Sequence, residues 1–153
     1  MISIRNIFML NISHYKIIAI GKIKKRWIQE GIEMYLKRLP GLEVIELKDN
    51  NKTKEEHTIK EIISKNEILV TLNENGQSFT SKQLATKLLN SQNQNIIFVI
   101  GGASGLSPSL NISASWQLSL SPLTFPHEIA RLLLIEQLYR AKTIAQGGPY
   151  HKE

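Results

Sequence analysis

Short runs rich in isoleucine and valine alternate along the chain with segments whose apolar residues recur at helical spacing. The short runs predict four β-strands, at residues 16–20, 43–47, 68–72 and 96–100. The last two are apolar enough to be buried on both faces, as strands of a parallel sheet are. The alternation therefore predicts an α/β fold with a mostly parallel sheet and helices on both of its faces.

The segments between the strands predict three helices, at residues 25–37, 53–64 and 81–89. Asn75 and Gly76 predict a turn before the third helix, and Ser81 is predicted to cap that helix. No repeat or linker interrupts the pattern, so we expect a single domain over residues 16–153. Residues 1–15 are predicted to be an N-terminal extension, and a tail without functional consequence is the alternative.

A final helix is predicted from residue 126 to about residue 145. Pro126 and Glu128 suit its first turn, because proline needs no N–H partner there and a carboxylate complements the helix dipole. Residues 132–135 are four consecutive large apolar residues, which point in every direction around a helix. Such a helix is either sandwiched within the domain or shared with a second subunit, and we favour a homodimer.

A glycine loop, GGASG, follows the strand at 96–100, and an apolar segment with two prolines runs from residue 118 to residue 126. The loop is no phosphate-binding P-loop, since no lysine follows Gly105 before Lys142. It also lacks the acidic residue that a dinucleotide fingerprint needs for the ribose. A plain tight turn and a ligand-binding strand end remain possible. The irregular apolar segment favours binding, because a ligand can satisfy its peptide groups.

The amino-acid composition limits the partners and the kinds of reaction that the chain can be expected to have. Of the 153 residues, 19 are basic and 13 are acidic, giving a net charge of +6, so an anionic partner such as nucleic acid is the first expectation. The absence of cysteine excludes disulfides and a thiolate nucleophile, and it fits a cytoplasmic protein. The four histidines show no metal-ligand spacing, and a single aspartate makes paired-aspartate metal chemistry improbable. No apolar run is long enough for a membrane span.

Three groups of polar residues are candidates for binding RNA. Lys22, Lys24, Lys25 and Arg26 form a basic patch beside Trp27, where a solvated helix start is the alternative. Arg131 faces either solvent or a substrate phosphate, and Glu136 with Arg140 is interpreted as an ion pair within the helix. Tyr150, His151 and Lys152 follow a Gly-Gly-Pro hinge and could stack on a base, exchange a proton and hold a phosphate. A frayed end is the alternative for this tail.

The segments IIFVIGG, SGLSP, LSLSPLTFPHEIARLLLIEQLYRA and PYHKE, with AIGKIKKRW and LVTLNENG before them, form a specific combination. It closely resembles the RlmH-type 23S rRNA pseudouridine N3-methyltransferases of the SPOUT class, over nearly all of residues 16–153. The resemblance implies a deep trefoil knot near the C-terminus, an obligate homodimer and bound S-adenosylmethionine, with no metal. Two features depart from the family pattern: residues 1–15, and Ala103-Ser104 where many members carry an acidic residue.

Site residues follow from the resemblance by position. The cofactor residues that it implies are Leu72, Gly101, Leu120, Ser121, Pro122, Leu123, Thr124 and Phe125. Gly101 is expected to leave room for the cofactor, and the peptide groups of residues 120–125 to read its adenine. The implied reaction methylates N3 of a pseudouridine in the decoding-region hairpin of 23S rRNA, within assembled ribosomes.

The resemblance implies catalytic and RNA-binding roles as well. His151 or Tyr150 would act on the N3 proton. Lys152, Arg131, Lys24, Lys25 and Arg26 would meet the RNA. A non-catalytic RNA-binding module and a nucleotide-dependent oxidoreductase are the competing functions, and the missing ribose acid opposes the second.

Overall fold

Five parallel strands form one sheet in the computed structural model, which describes residues 9–152. The strands are β1 (Tyr15–Ile20), β2 (Glu43–Leu47), β3 (Glu67–Ser78), β4 (Asn95–Ile100) and β5 (Trp116–Ser119). They lie in the order β2-β1-β4-β3-β5, and every neighbouring pair is parallel. The four predicted strands and the parallel α/β fold are confirmed, and β5 is an addition.

Helices cover both faces of this sheet, as predicted. They are α1 (Arg26–Lys37), α2 (Lys52–Ile62), α3 (Ser81–Asn90), α4 (Pro108–Ser113) and α5 (His127–Ala145). One core cluster joins α1, α3 and α5 to the face of the sheet that carries Ile17 and Phe98. A second cluster joins α2 and α4 to the opposite face, which carries Ile18 and Val99. Alternate residues of β1 and β4 thus enter different clusters, which explains why these strands are apolar throughout.

Strand β3 continues well beyond its predicted end. Residues 73–76 form an irregularity in its pairing with β5, since both Leu72 and Gln77 lie opposite Leu118. The turn predicted at Asn75 and Gly76 is therefore wrong, because the chain bulges there and stays in the sheet. A Cβ on Gly76 would lie 2.6 Å from the carbonyl oxygen of Gln117, so only glycine lets the strands approach this closely.

The cap of α3 lies one residue earlier than predicted. Thr80 accepts a hydrogen bond from the N–H of Gln83 at 3.1 Å, and the Gln83 side chain accepts one from the N–H of Thr80 at 2.9 Å. This reciprocal pair is a capping box. The hydroxyl of Ser81 instead donates to Gln137 of α5 at 2.7 Å, so it ties two helices together.

Helix α5 packs between α1 and α3 on the sheet. Leu134 and Ile135 are fully buried, and Leu132 contacts Gly31 of α1. Burial within one chain therefore accounts for three of the four apolar residues on which the homodimer prediction depended. Leu133 is half-buried and, within residues 9–152, packs against neither core cluster. The homodimer stays a prediction, with Leu133 as the apolar residue left to support it.

The N-terminal boundary of the fold lies earlier than residue 16. Leu10, Ile12 and Tyr15 are all buried in the first core cluster, so the division drawn at residue 15 is corrected. The prediction for residues 1–8 lies outside the described residues. No helix within residues 9–152 is long and apolar enough to span a membrane.

Candidate active site

A cavity of about 790 Å³ opens at the carboxyl ends of β4 and β5, beside the bulge of β3. Its remaining walls come from the glycine loop, from α4 and from the start of α5. In parallel α/β sheets this edge is where ligands bind, because the strands end there and loops diverge. Leu72, just before the bulge of β3, gives the cavity an apolar wall together with Ile100 of β4 and Leu118 of β5.

The structure brings nearly all of the predicted cofactor residues to this cavity. Those that line it are Leu72, Gly101, Leu120, Ser121, Leu123, Thr124 and Phe125. Pro122 is exposed and does not belong to the lining. Residues separated by about fifty positions along the chain therefore meet at one site.

The peptide groups of residues 121–125 are free for a ligand. Among the described residues they make no main-chain hydrogen bond, and their one side-chain partner is the Ser121 hydroxyl, which accepts from the N–H of Leu123 at 3.0 Å. The segment is held by side chains instead. Thr124 donates to the Glu74 carboxylate, and the hydroxyl of Ser119, just before the segment, donates to the Glu74 carbonyl at 3.0 Å. The segment thus presents fixed, unpaired main-chain donors and acceptors.

The glycine loop is both a tight turn and part of the cavity wall. The N–H of Gly105 donates to the carbonyl of Gly102 at 3.0 Å, and Gly105 has a φ of +74°. A Cβ on Gly101 would lie 2.7 Å from the carbonyl carbon of Gly105. Gly101 is therefore required by the loop's own packing, and the expectation that it leaves room for the cofactor stays a prediction.

Several polar residues of the cavity were not predicted, and two of them hold or await a specific partner. Asn111 of α4 lines it, and its Oδ1 is buried without a hydrogen-bond partner among the described residues. Glu74, in the bulge of β3, is the second. An unpaired buried acceptor costs free energy, so a ligand donor is a natural partner for Asn111. The strand-end position of Glu74 was a usable signal, whereas Asn111 lies in a helix of six residues that the sequence did not reveal.

The C-terminal tail is fixed on the surface of α1 and α5. The Tyr150 hydroxyl lies 3.0 Å from that of Tyr35 and donates to Glu136 at 3.1 Å. Glu136 also accepts from Arg140 at 2.6 Å, which confirms the predicted ion pair. Burial, with the hydrogen bonds to Tyr35 and Glu136, raises the pKa of the Tyr150 phenol. Tyr150 is thus held as a neutral hydroxyl.

The tail does not reach the cavity of its own chain. Tyr150, His151 and Lys152 are all absent from the cavity wall. The Arg140 guanidinium lies 3.0 Å from Nδ1 of His151 and can only donate, so this nitrogen keeps its lone pair in that bond. A proton-accepting role for Tyr150 or His151 would require the cavity of another subunit, and it stays a prediction.

The basic patch lies close to the cavity. Lys24, Lys25 and Arg26 are all exposed. The main-chain N–H groups of Lys24 and Lys25 donate to the Glu128 carboxylate at 2.6 and 3.1 Å, and these bonds, with that from Lys25 the larger effect, lower the pKa of Glu128. Glu128 thereby fixes the start of α1 against the start of α5, beside the cavity wall. Predicted RNA contacts for these three cations are compatible with their positions.

Arg131 is not available for phosphate. Its side chain is 4% exposed, donates to the Glu46 carboxylate at 2.7 Å and donates to the Gly21 carbonyl at 2.8 Å. Both orientations proposed for it, toward solvent or toward a substrate, are therefore wrong for this chain. The guanidinium therefore connects α5 to Glu46 in β2 and to Gly21, which follows β1. No group of three or more metal-ligating side chains occurs within residues 9–152.

Comparison with known proteins identifies the family. The sequence model described as Predicted SPOUT methyltransferase matches residues 13–151. The chain belongs to the SPOUT methyltransferase family. It is therefore a methyltransferase, and the family resemblance seen in the sequence is confirmed.

Relatives and a solved structure agree with this assignment. A curated relative from Prochlorococcus marinus (strain NATL2A), named Ribosomal RNA large subunit methyltransferase H, is 90% identical over 145 residues, covering 95% of this chain and 100% of the relative. A relative of the same name from Synechococcus sp. (strain CC9902) is 52% identical over 143 residues, covering 94% and 99%. The structure of a probable methylase family protein from Haemophilus influenzae Rd KW20 matches with a TM-score of 0.59 and 12% identity, covering 94% of this chain and 72% of that one. It shares the fold.

Replacing Arg131 with methionine is predicted to destabilise the fold by about 2 kcal/mol, because the buried Gly21 carbonyl loses its charged donor. Urea denaturation of Arg131→Met measures this loss. Arg26→Met is the matched control, since the Arg26 side chain is 93% exposed and its pair with Glu30 is worth less than about 1 kcal/mol. Equal stability of the two variants would contradict the structural role of Arg131.

Proposed function

We propose that this methyltransferase transfers a methyl group from S-adenosylmethionine to N3 of a pseudouridine in 23S rRNA. The target is the decoding-region hairpin of the large subunit in assembled ribosomes, which implies activity in the cytoplasm. The observation that carries the proposal is the run of unpaired peptide groups at residues 121–125 on the wall of an apolar cavity. The names of the curated relatives support large-subunit rRNA as the substrate.

The residues present fit S-adenosylmethionine. An adenine ring has hydrogen-bond donors and acceptors along one edge, which unpaired peptide groups can meet. Its apolar face can pack against the side chains of Leu72, Leu118 and Leu120. Asn111 supplies an unpaired buried acceptor for a donor of the ligand. The cavity also has room for a cofactor of this size.

The bound cofactor would supply an activated methyl group on a sulfonium. The chain's own contribution is to hold the reactants in line and to exclude water, because alignment supplies much of the rate in such transfers. The segment 121–125 is well suited to this, since Glu74 fixes it from the neighbouring strand. The deep trefoil knot implied by the family stays a prediction for the C-terminal part of the chain.

The RNA would approach from the side of the basic patch. Lys24, Lys25 and Arg26 are exposed cations near the cavity, and their position suits contacts with phosphates. Exposed Trp27 adds an aromatic surface on which a base can stack. Lys152, also exposed, would join these cations if the tail of one subunit meets the cavity of the other.

In a homodimer, the tail of one chain could reach the cavity of the other chain. Within one chain, Tyr150 and His151 are fixed on α1 and α5 and do not line the cavity. Leu133 is left half-buried on α5. A second subunit packed on this surface would cover Leu133 and bring one chain's tail toward the other chain's site.

Gly101→Ala is predicted to weaken S-adenosylmethionine binding about tenfold or more, since the new methyl group would displace the loop that forms the cavity wall. Calorimetry on the folded variant measures the affinity. Gly148→Ala is the control, because its Cβ would meet no atom closer than 3.4 Å and lies outside the cavity. Unchanged affinity in Gly101→Ala would remove the glycine loop from the cofactor site.

Removing residues 150–153 is predicted to lower rRNA methylation at least about 100-fold, through lost positioning of the substrate. The same variant should bind S-adenosylmethionine within about twofold of the intact chain, because the tail does not line the cavity. Mass spectrometry of the rRNA hairpin gives the first quantity and calorimetry the second. Full methylation by the shortened chain would leave the tail without a role in the reaction.

Leu133→Glu is predicted to convert a dimer to monomers without unfolding the chain, because the charge would be buried only in the assembly. Light scattering gives the mass and circular dichroism the fold. Ile112→Glu serves as the control, since Ile112 is an apolar residue 82% exposed on a different surface. An unmodified chain that is monomeric at micromolar concentration would refute the homodimer.

A further inference from the structure

One carboxylate is placed against two glycines at the edge of the cavity. A Cβ on Gly102 would lie 2.6 Å from Oδ1 of Asp49, and a Cβ on Gly21 would lie 3.1 Å from Oδ2. Asp49 follows β2, Gly21 follows β1 and Gly102 follows β4, so three adjacent strand ends meet at this carboxylate. A side chain at position 102 would displace the Asp49 carboxylate from its present place, and one at position 21 would crowd it.

His127 lies near the same carboxylate, without a hydrogen bond or ion pair to it. A Cβ on Gly21 would lie 3.4 Å from Nε2 of His127 and 3.1 Å from Oδ2 of Asp49. The imidazole and the carboxylate are therefore at most about 6.5 Å apart. His127 is the first residue of α5 and lines the cavity. It is therefore an imidazole that a ligand in the cavity can touch, with the Asp49 carboxylate nearby.

The other charged groups around His127 are already engaged. Glu128 binds the main-chain N–H groups of Lys24 and Lys25, and Arg131 binds Glu46 and the Gly21 carbonyl. Asp49 makes no hydrogen bond or ion pair with any of the described residues. It is thus the unpaired carboxylate that lies nearest to the imidazole among the groups named here.

The pair lies on the side where RNA would enter. Glu128, next to His127, holds the loop that carries the basic patch. The unpaired peptide segment, which suits the cofactor, forms another part of the cavity wall. A base brought in by phosphate contacts to that patch would therefore reach His127 before it reached the cofactor.

We propose that His127 is the catalytic group that accepts the proton of the target base, and that the nearby Asp49 carboxylate favours this transfer by its charge. This inference rests on the proposed function. The N3–H bond of the base breaks, and its proton goes to a ring nitrogen of His127. The electron pair stays on N3 and forms the bond to the methyl carbon, whose former bonding pair remains with sulfur. Asp49 stabilises the imidazolium that results.

The test compares His127→Gln and Asp49→Asn with His57→Gln and Glu61→Gln. His57 and Glu61 form an exposed imidazole–carboxylate pair at 3.0 Å on α2, away from the cavity, so they are matched controls. Single-turnover methylation of ribosomes, at saturating S-adenosylmethionine, is measured from about pH 6 to about pH 9 to span the titration of imidazole. Calorimetry gives each variant's affinity for S-adenosylmethionine.

We expect His127→Gln to lower the rate at neutral pH by about 100-fold or more, and Asp49→Asn by about tenfold. The loss in His127→Gln should shrink as the pH rises, because hydroxide then removes the proton. Cofactor affinity should stay within about twofold in all four variants. The controls should keep the rate and the pH profile of the intact chain.

A His127→Gln variant with the intact chain's rate at every pH would overturn the inference. So would a cofactor affinity that falls as far as the rate, since His127 would then serve binding. An intact chain that neither binds S-adenosylmethionine nor methylates ribosomes would instead overturn the proposed function itself.

Discussion

Peptide groups that no helix or strand uses are the feature on which the rest of this structure depends. Residues 121–125 leave their main-chain donors and acceptors unpaired beside an apolar cavity, which costs free energy unless a ligand or water meets them. The short strand β5 and the bulge of β3 hold this segment in place, since Glu74 in the bulge binds Thr124 and Ser119. A fixed set of unpaired peptide groups is a binding site before any ligand arrives.

Close approach between neighbouring segments is the second constraint, and glycine satisfies it at four positions near the cavity side of the sheet. Gly76 lets β3 meet β5, Gly101 lets the loop fold on itself, and Gly21 with Gly102 gives space to Asp49. The resulting edge is asymmetric. The unpaired peptide groups lie in the segment after β5, whereas on the other side Glu128, next to His127, binds the main chain of the basic patch.

The parts of the fold that depend on local pattern could be predicted from the sequence. The four Ile- and Val-rich strands were found, because burial marks them, and family motifs marked seven residues that line the cavity. β5 was missed since four residues within a Ser- and Pro-rich segment carry no clear period. The roles of Arg131, Asp49 and Asn111 depend on contacts between distant elements, which no local spacing encodes.

The most direct test of the account is an amide NMR titration of the labelled protein with S-adenosylmethionine. The account predicts that the largest shift changes fall on the N–H groups of Ser121, Thr124 and Phe125, with further changes at the glycine loop, since these line the cavity. Amides of the β2 edge and of the exposed face of α2 should stay unchanged. Saturable binding that leaves residues 121–125 unaffected would contradict the claim that unpaired peptide groups form the cofactor site.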